Sequence, residues 1–200
     1  MAIGKTTQLQ AVNYMLSAGG ETPIPDLVTQ LGANATLAIQ ILAEVSNSVQ
    51  AVGWWFNTRI KKFTPAAGTI TIADAIIRVD GDDYWGGTLQ PSIRNGKLFN
   101  MLTGLDNDWG TNDVELRIVE LLEWDYLPEA ARMYIAKKAA RIFVDRCVSD
   151  PNLVRLARQD EAEAMALLQR EDIATSNPRV FGKYRNHIVD APRALDWVTE

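Results

Sequence analysis

The chain has 200 residues, with 20 lysines and arginines against 25 aspartates and glutamates, one histidine, one cysteine and a net charge of −5. That length holds one domain, or one domain with an extension, and the acidic balance argues against a general binder of DNA or of anionic membranes. The single cysteine, Cys147, excludes an intrachain disulfide; the opening MAIGKTTQLQ lacks the apolar core of a signal peptide, and no apolar run approaches the roughly 20 residues of a membrane helix. The expectation is a soluble protein folded in a reducing cytoplasm.

Residues 6–18 read as a helix, with Leu9, Val12 and Leu16 on one face and Gly19-Gly20 as its stop. ETPIPDL, residues 21–27, is a proline-punctuated loop. Asn34 is placed to cap the next helix, in which Ala38, Ile41, Leu42, Val45, Val49 and Val52 recur at helical spacing. Gly53 breaks that stripe, and three aromatics follow in VGWWFNTR, residues 52–59.

From 58 to 119 the texture changes. RIKKFTP, GTITI and AIIRVD are short, β-branched and separated by glycine, proline or aspartate, and Asn95-Gly96 is a hairpin signal because both residues tolerate positive φ. In VELRIVEL, residues 114–121, Val114, Leu116, Ile118 and Leu121 stand against Glu115, Arg117 and Glu120, the pattern of a half-buried antiparallel strand. Helix returns over 127–148, with Pro128 in its first turn and Leu127, Ala131, Ile135, Ala139, Ile142 and Phe143 on its apolar face. Asp150-Pro151 opens a last helix to about 173, carrying Leu153, Leu156, Ala157, Ala164, Leu167 and Leu168, with Asp160 inside the apolar stripe. The remaining segment has no sustained period and carries Phe181, Tyr184 and Trp197 among prolines and basic residues, so it is expected to be disordered or to dock on a partner. The fold class is therefore α+β: an antiparallel helical bundle from residues 1–57 and 120–175, an inserted small antiparallel sheet over 58–119, and an extended tail over 176–200.

The chemical inventory is thin. His187 is the lone histidine, and neither a nucleophile elbow, a zinc motif, a P-loop nor a dinucleotide fingerprint occurs. LDNDWGTND, residues 105–113, resembles a calcium loop, but counting from Asp106 the sixth position is Thr111 and the twelfth Arg117, so a polar loop is the better reading. Asp82-Asp83 reads as a turn before it reads as half a metal site. Trp54, Trp55, Trp85 and Trp109 would suit sugar stacking beside paired carboxylates, the feature of a glycan-degrading enzyme, although cores and protein interfaces use tryptophan more often. Lys137, Lys138 and Arg141 form a basic cluster, either a solvated face or an inter-subunit patch that pairs with acids on a neighbour. No catalytic, cofactor or metal residues are assigned.

Two segments carry a family resemblance. One is the helix running into Gly53, Trp54, Trp55, Phe56 and Asn57. The other is WDYLPEAARMYIAKKAARIF, residues 124–143, with Asp125, Pro128-Glu129, Arg132, Ile135, Lys138-Ala139, Arg141 and Phe143 at fixed offsets. The opening AVNYMLSAGGETPI is similar to the same family's first helix and turn. Over roughly 8–57 and 120–172 the chain resembles tail tubular protein A, the adaptor or gatekeeper ring protein of podovirus-type short-tailed phages.

The resemblance implies a twelve-subunit ring in the virion tail, between the portal and a nozzle of the tail tubular protein B type, whose channel passes DNA without sequence specificity and touches no membrane. It implies no enzyme activity and no cofactor. Trp54 and Phe56, with Ile135 and Phe143, are expected as core anchors. If the aromatic stretch is extended, Trp55 points the other way and becomes an interface candidate with Lys137, Lys138, Arg141, Phe181, Tyr184, Arg185 and Trp197.

Overall fold

The computed structural model describes residues 4–29, 31–81, 90–148 and 150–176. In chain order these form helix α1 (Gln8–Ala18), α2 (Ala33–Gln50), strands β1 (Thr58–Phe63), β2 (Ile76–Gly81), β3 (Pro91–Arg94), β4 (Lys97–Asn100) and β5 (Val114–Glu120), a 3-10 turn (Trp124–Tyr126), α3 (Glu129–Cys147) and α4 (Pro151–Ser176). The class is α+β, as expected. Asp82, Asp83, Trp85, His187, Phe181, Tyr184, Arg185, Trp197 and the expected tail lie outside the described residues.

Local chemistry sets the helix ends. Thr7 and Gln10 make a reciprocal capping box at the start of α1. The cap of α2 is Gly32, with no side-chain bond, and not Asn34, whose amide instead donates to Glu21 at 2.7 Å. Asp150 caps α4 by accepting from the Asn152 N–H at 2.8 Å, and Pro151 stands at the first helical position, where a missing N–H costs nothing.

α3 is the central helix and packs against α1, α2 and α4. Its alanines 131, 136, 139 and 140 are buried and let the neighbouring backbones approach closely. Around them Met15, Leu16, Ile41, Leu42, Leu127, Ile135, Phe143 and Leu168 form one core. The apolar stripe of α2 is buried from Ala38 to Val49, but Val52 is 59% exposed, because the helix ends at Gln50 and the chain has already turned. Leu156 and Leu167 of α4, expected inside, are 51% and 57% exposed: α4 covers α3 with one side, and nothing among the described residues covers its other flank.

The strands build two sheets rather than one. β5 lies between β1 and β2, antiparallel to both, and β3 pairs with β4 as a separate hairpin. The hairpin turns on Asn95 and Gly96 with φ of 49° and 69°, both positive as a two-residue turn of the I′ type requires. GTITI does not form a strand; it makes single bridges such as Thr71 to Lys97. Phe63, Ile70, Ile72, Val79, Leu98, Trp109, Leu116 and Ile118 close a second core. Val119 interrupts the alternation of β5 and is fully buried, because it faces the junction with the helices.

Candidate interaction surfaces and the junction between the cores

The segment GWWFN sits where the two cores meet, and it is a turn, not an extended strand. The Asn57 N–H donates to the Trp54 carbonyl at 3.2 Å, and the Asn57 Oδ1 accepts from the Trp54 N–H at 2.8 Å. The expected alternation of side chains therefore fails. Trp54 is buried in the helical core with its Nε1 on the Val49 carbonyl at 2.8 Å. Trp55 and Phe56 are both half-buried against the same core and meet edge to face at 5.0 Å. The Trp55 N–H donates to Asp172 of α4 at 3.1 Å, which ties the turn to the last helix.

Asn57 organises this junction. It is 4% exposed, and its Nδ2 donates to the carbonyls of Gln50 at 2.8 Å and Glu120 at 2.9 Å. One side chain thus joins the end of α2, the aromatic turn and the end of β5. Gln50, 1% exposed, works in parallel: its amide accepts from the Leu122 N–H at 2.7 Å and donates to the Leu122 carbonyl at 3.1 Å, as a neighbouring strand would. Arg78 of β2 donates to the carbonyls of Ala51 and Val52, placing a cation where the dipole of α2 leaves negative charge. Gly53 completes the set. Its φ is +83°, and a Cβ there would lie 2.9 Å from Arg78 Nη2 and 3.0 Å from Val119 Cγ2. Each of Gly53, Trp54 and Asn57 in the motif thus has a separate physical task.

A second polar node fixes the start of the chain to α3. Arg132 is 3% exposed and pairs with carbonyls rather than a carboxylate: Leu127 at 3.0 Å, Thr6 at 2.9 Å and Asp125 at 2.7 Å. The Trp124 Nε1 donates to the same Thr6 carbonyl at 2.9 Å, while Glu129 accepts from the Thr6 N–H at 2.8 Å and from its hydroxyl. The Asp125, Glu129 and Arg132 offsets of the sequence pattern are this clamp. Nothing in the sequence announced Thr6 or Gln50 as partners, since both bonds join residues far apart in the chain.

The basic cluster has partners within the chain, which corrects the expectation that it pairs with a neighbour's acids. Lys137 lies 3.6 Å from Asp160, and Arg141 pairs with Glu161, both on α4. Asp160 also accepts from the Tyr14 hydroxyl at 2.7 Å, which explains an acid inside the apolar stripe. Burial and then that bond push the Tyr14 phenol far above its ordinary range. Lys138 sits over the Tyr134 ring at 5.6 Å.

The tryptophans offered for sugar stacking do not share a surface. Trp54 and Trp109 are each 7% exposed and lie in different cores, and the Trp109 Nε1 is held by the Leu98 carbonyl at 2.9 Å. Among the described residues no group of three or more histidine, cysteine or acidic side chains is arranged to hold a metal ion. No helix among them is long and apolar enough to cross a membrane.

Comparison with known proteins agrees with this architecture. A relative, tail tubular protein A of Klebsiella phage KP34, is 28% identical over 187 residues, covering 89% of this chain and 96% of that protein. A family model described as Tail tubular protein matches residues 9–178, a span that takes in both cores, the junction and the clamp. The chain therefore belongs to the tail tubular protein family, structural proteins of the phage virion tail.

Proposed function

We propose that this protein is a ring-forming adaptor that joins the portal to the tail nozzle and forms part of the channel through which DNA leaves the head. The family match over residues 9–178 carries this reading. The build of the chain supports it: two separate cores, braced by Asn57, Gln50 and Arg78, suit a spacer with a different partner at each end. Twelve copies close the ring. The helical part meets the portal, with Trp55 and Lys138 among the contacts and Phe181, Tyr184, Arg185 and Trp197 supplied by the tail. The β-rich part reaches a nozzle protein of the tail tubular protein B type.

The work done is assembly, not catalysis. Burying apolar anchors at subunit and portal contacts supplies the binding energy, at about 25 cal/mol per Å² of apolar surface removed from water. The acidic balance of the chain favours sliding of DNA over sticking. The chain folds in the host cytoplasm and is then incorporated into the tail.

Light scattering on the full-length chain, alone and mixed with its cognate portal, tests the reading. One large complex of fixed stoichiometry is expected, weakened by removal of residues 177–200. A chain that stays monomeric and leaves the portal unchanged overturns it.

A further inference from the structure

α4 presents two unlike flanks. On one stand Leu156 and Leu167, both more than half exposed, with exposed Glu163 between them. Eleven residues are close to three full turns, so the two leucines share a line along the helix, and Glu163 falls near it. On the other flank, Asp145 of α3 and Pro151, Val154, Arg155 and Arg158 of α4 line a shallow cleft of about 410 Å³. Among the described residues neither Arg155, Arg158 nor Glu163 has an ion-pair partner, whereas the inward-facing charges of α4, Asp160 and Glu161, do. At about 100° per residue, Leu156 stands roughly 160–200° around the helix from Val154 and Arg158, yet at the same height along it.

That relation matters because of how rings close. A head-to-tail ring joins one patch on each subunit to a different patch on the next. Rotation about an axis running along the helix leaves height unchanged, and in a twelve-membered ring the two patches lie about 150° apart around the subunit. The flanks of α4 are nearly opposed, level with each other, and complementary: leucines with an acid on one, an apolar-walled cleft with two arginines on the other.

We propose that the seam between neighbouring subunits runs along α4, with a second copy of this chain as its occupant. Leu156, Glu163 and Leu167 of one copy seat against the cleft of Val154, Arg155 and Arg158 on the next. This rests on the ring reading above and adds to it the surface that closes the ring. It also accounts for the two leucines that the intrachain core leaves in water.

Cysteine cross-linking of the full chain assembled on its portal tests the seam. In a Cys147→Ser background, Leu156→Cys and Arg158→Cys together place thiols on opposite flanks, too far around the helix to join within one chain. Mild oxidation should give a ladder of multiples of the 22.2 kDa chain on a non-reducing gel; either cysteine alone should give none. Assembly of full mass without a ladder overturns the seam and leaves the ring reading standing. Absence of any large complex overturns both. A charge test is independent of disulfide geometry: Glu163→Lys should cut the assembled fraction about tenfold, and adding Arg158→Glu should restore it to within about threefold. No rescue, with both variants folded by circular dichroism, also overturns the seam.

Discussion

Replacing Asn57 by alanine removes three hydrogen bonds at once. The Trp54 N–H, bonded at 2.8 Å, loses its only partner among the described residues. The Gln50 carbonyl keeps a bond from the Gly53 N–H at 3.1 Å, and the Glu120 carbonyl stays at the edge of the β2–β5 ladder. The cost is therefore one unpaired buried donor, about 1–3 kcal/mol, plus a few tenths to 1 kcal/mol for each weakened carbonyl, or about 3 kcal/mol in total. For a chain of this size that lowers Tm by about 6–12 °C. Asn57→Asp keeps the shape but turns a donor into a carboxylate facing two carbonyls. Burial and those carbonyls should raise its folded-state pKa above the unfolded value near 4. The penalty is then absent below the unfolded pKa and grows as pH rises through the folded one. Thermal melts of both variants between about pH 4 and 8 are the assay. A drop under about 2 °C for alanine, or a pH-independent penalty for aspartate, would refute the reasoning.

Arg132→Met leaves the Asp125 and Leu127 carbonyls without their shared donor and should cost about 3 kcal/mol in urea titrations. Thr6 keeps Trp124 and Glu129, so hydrogen exchange should quicken most at residues 125–127 and less at Thr6. Gly53→Ala should cost about 2–4 kcal/mol, since positive φ and a 2.9 Å approach to Arg78 act together, while Gly20→Ala, with φ +77° and nothing within 4 Å, should cost only about 1 kcal/mol. The Arg59 guanidinium beside Glu120 holds that carboxyl below its ordinary range. Its contribution is present above the unfolded carboxylate pKa and lost as pH falls through the folded one, so Glu120→Gln should flatten the acid limb of the stability curve.

The helices were legible because a 3.6-residue period is local: Ala38 to Val49 and Leu127 to Phe143 bury as their spacing says. The period alone also swept in Val52, Leu156 and Leu167. Spacing says which residues share a face, not whether another element arrives to cover it. The aromatic turn was missed for a related reason. Its shape is set by Asn57, whose amide reaches residue 120, and no window around residues 52–59 contains that partner. The basic trio shows the same limit, since pairing Lys137 with Asp160 and Arg141 with Glu161 depends on the register of α3 against α4. The hairpin at Asn95-Gly96 was readable because its determinant is two adjacent residues.

β1 and β5 are the chain's way into and out of the β-rich part, and they run side by side, with Thr58 opposite Val119 at the threshold. The whole insertion therefore hangs from a two-stranded stalk whose ends are adjacent in space. A cassette mounted in this way can be lengthened, shortened or exchanged beyond the stalk without disturbing Leu127, Ile135 or Phe143 in the helical core. Relatives are free to keep one frame while carrying different heads, and a torque on the head reaches the frame as twist of a paired ribbon rather than as bending of a single strand.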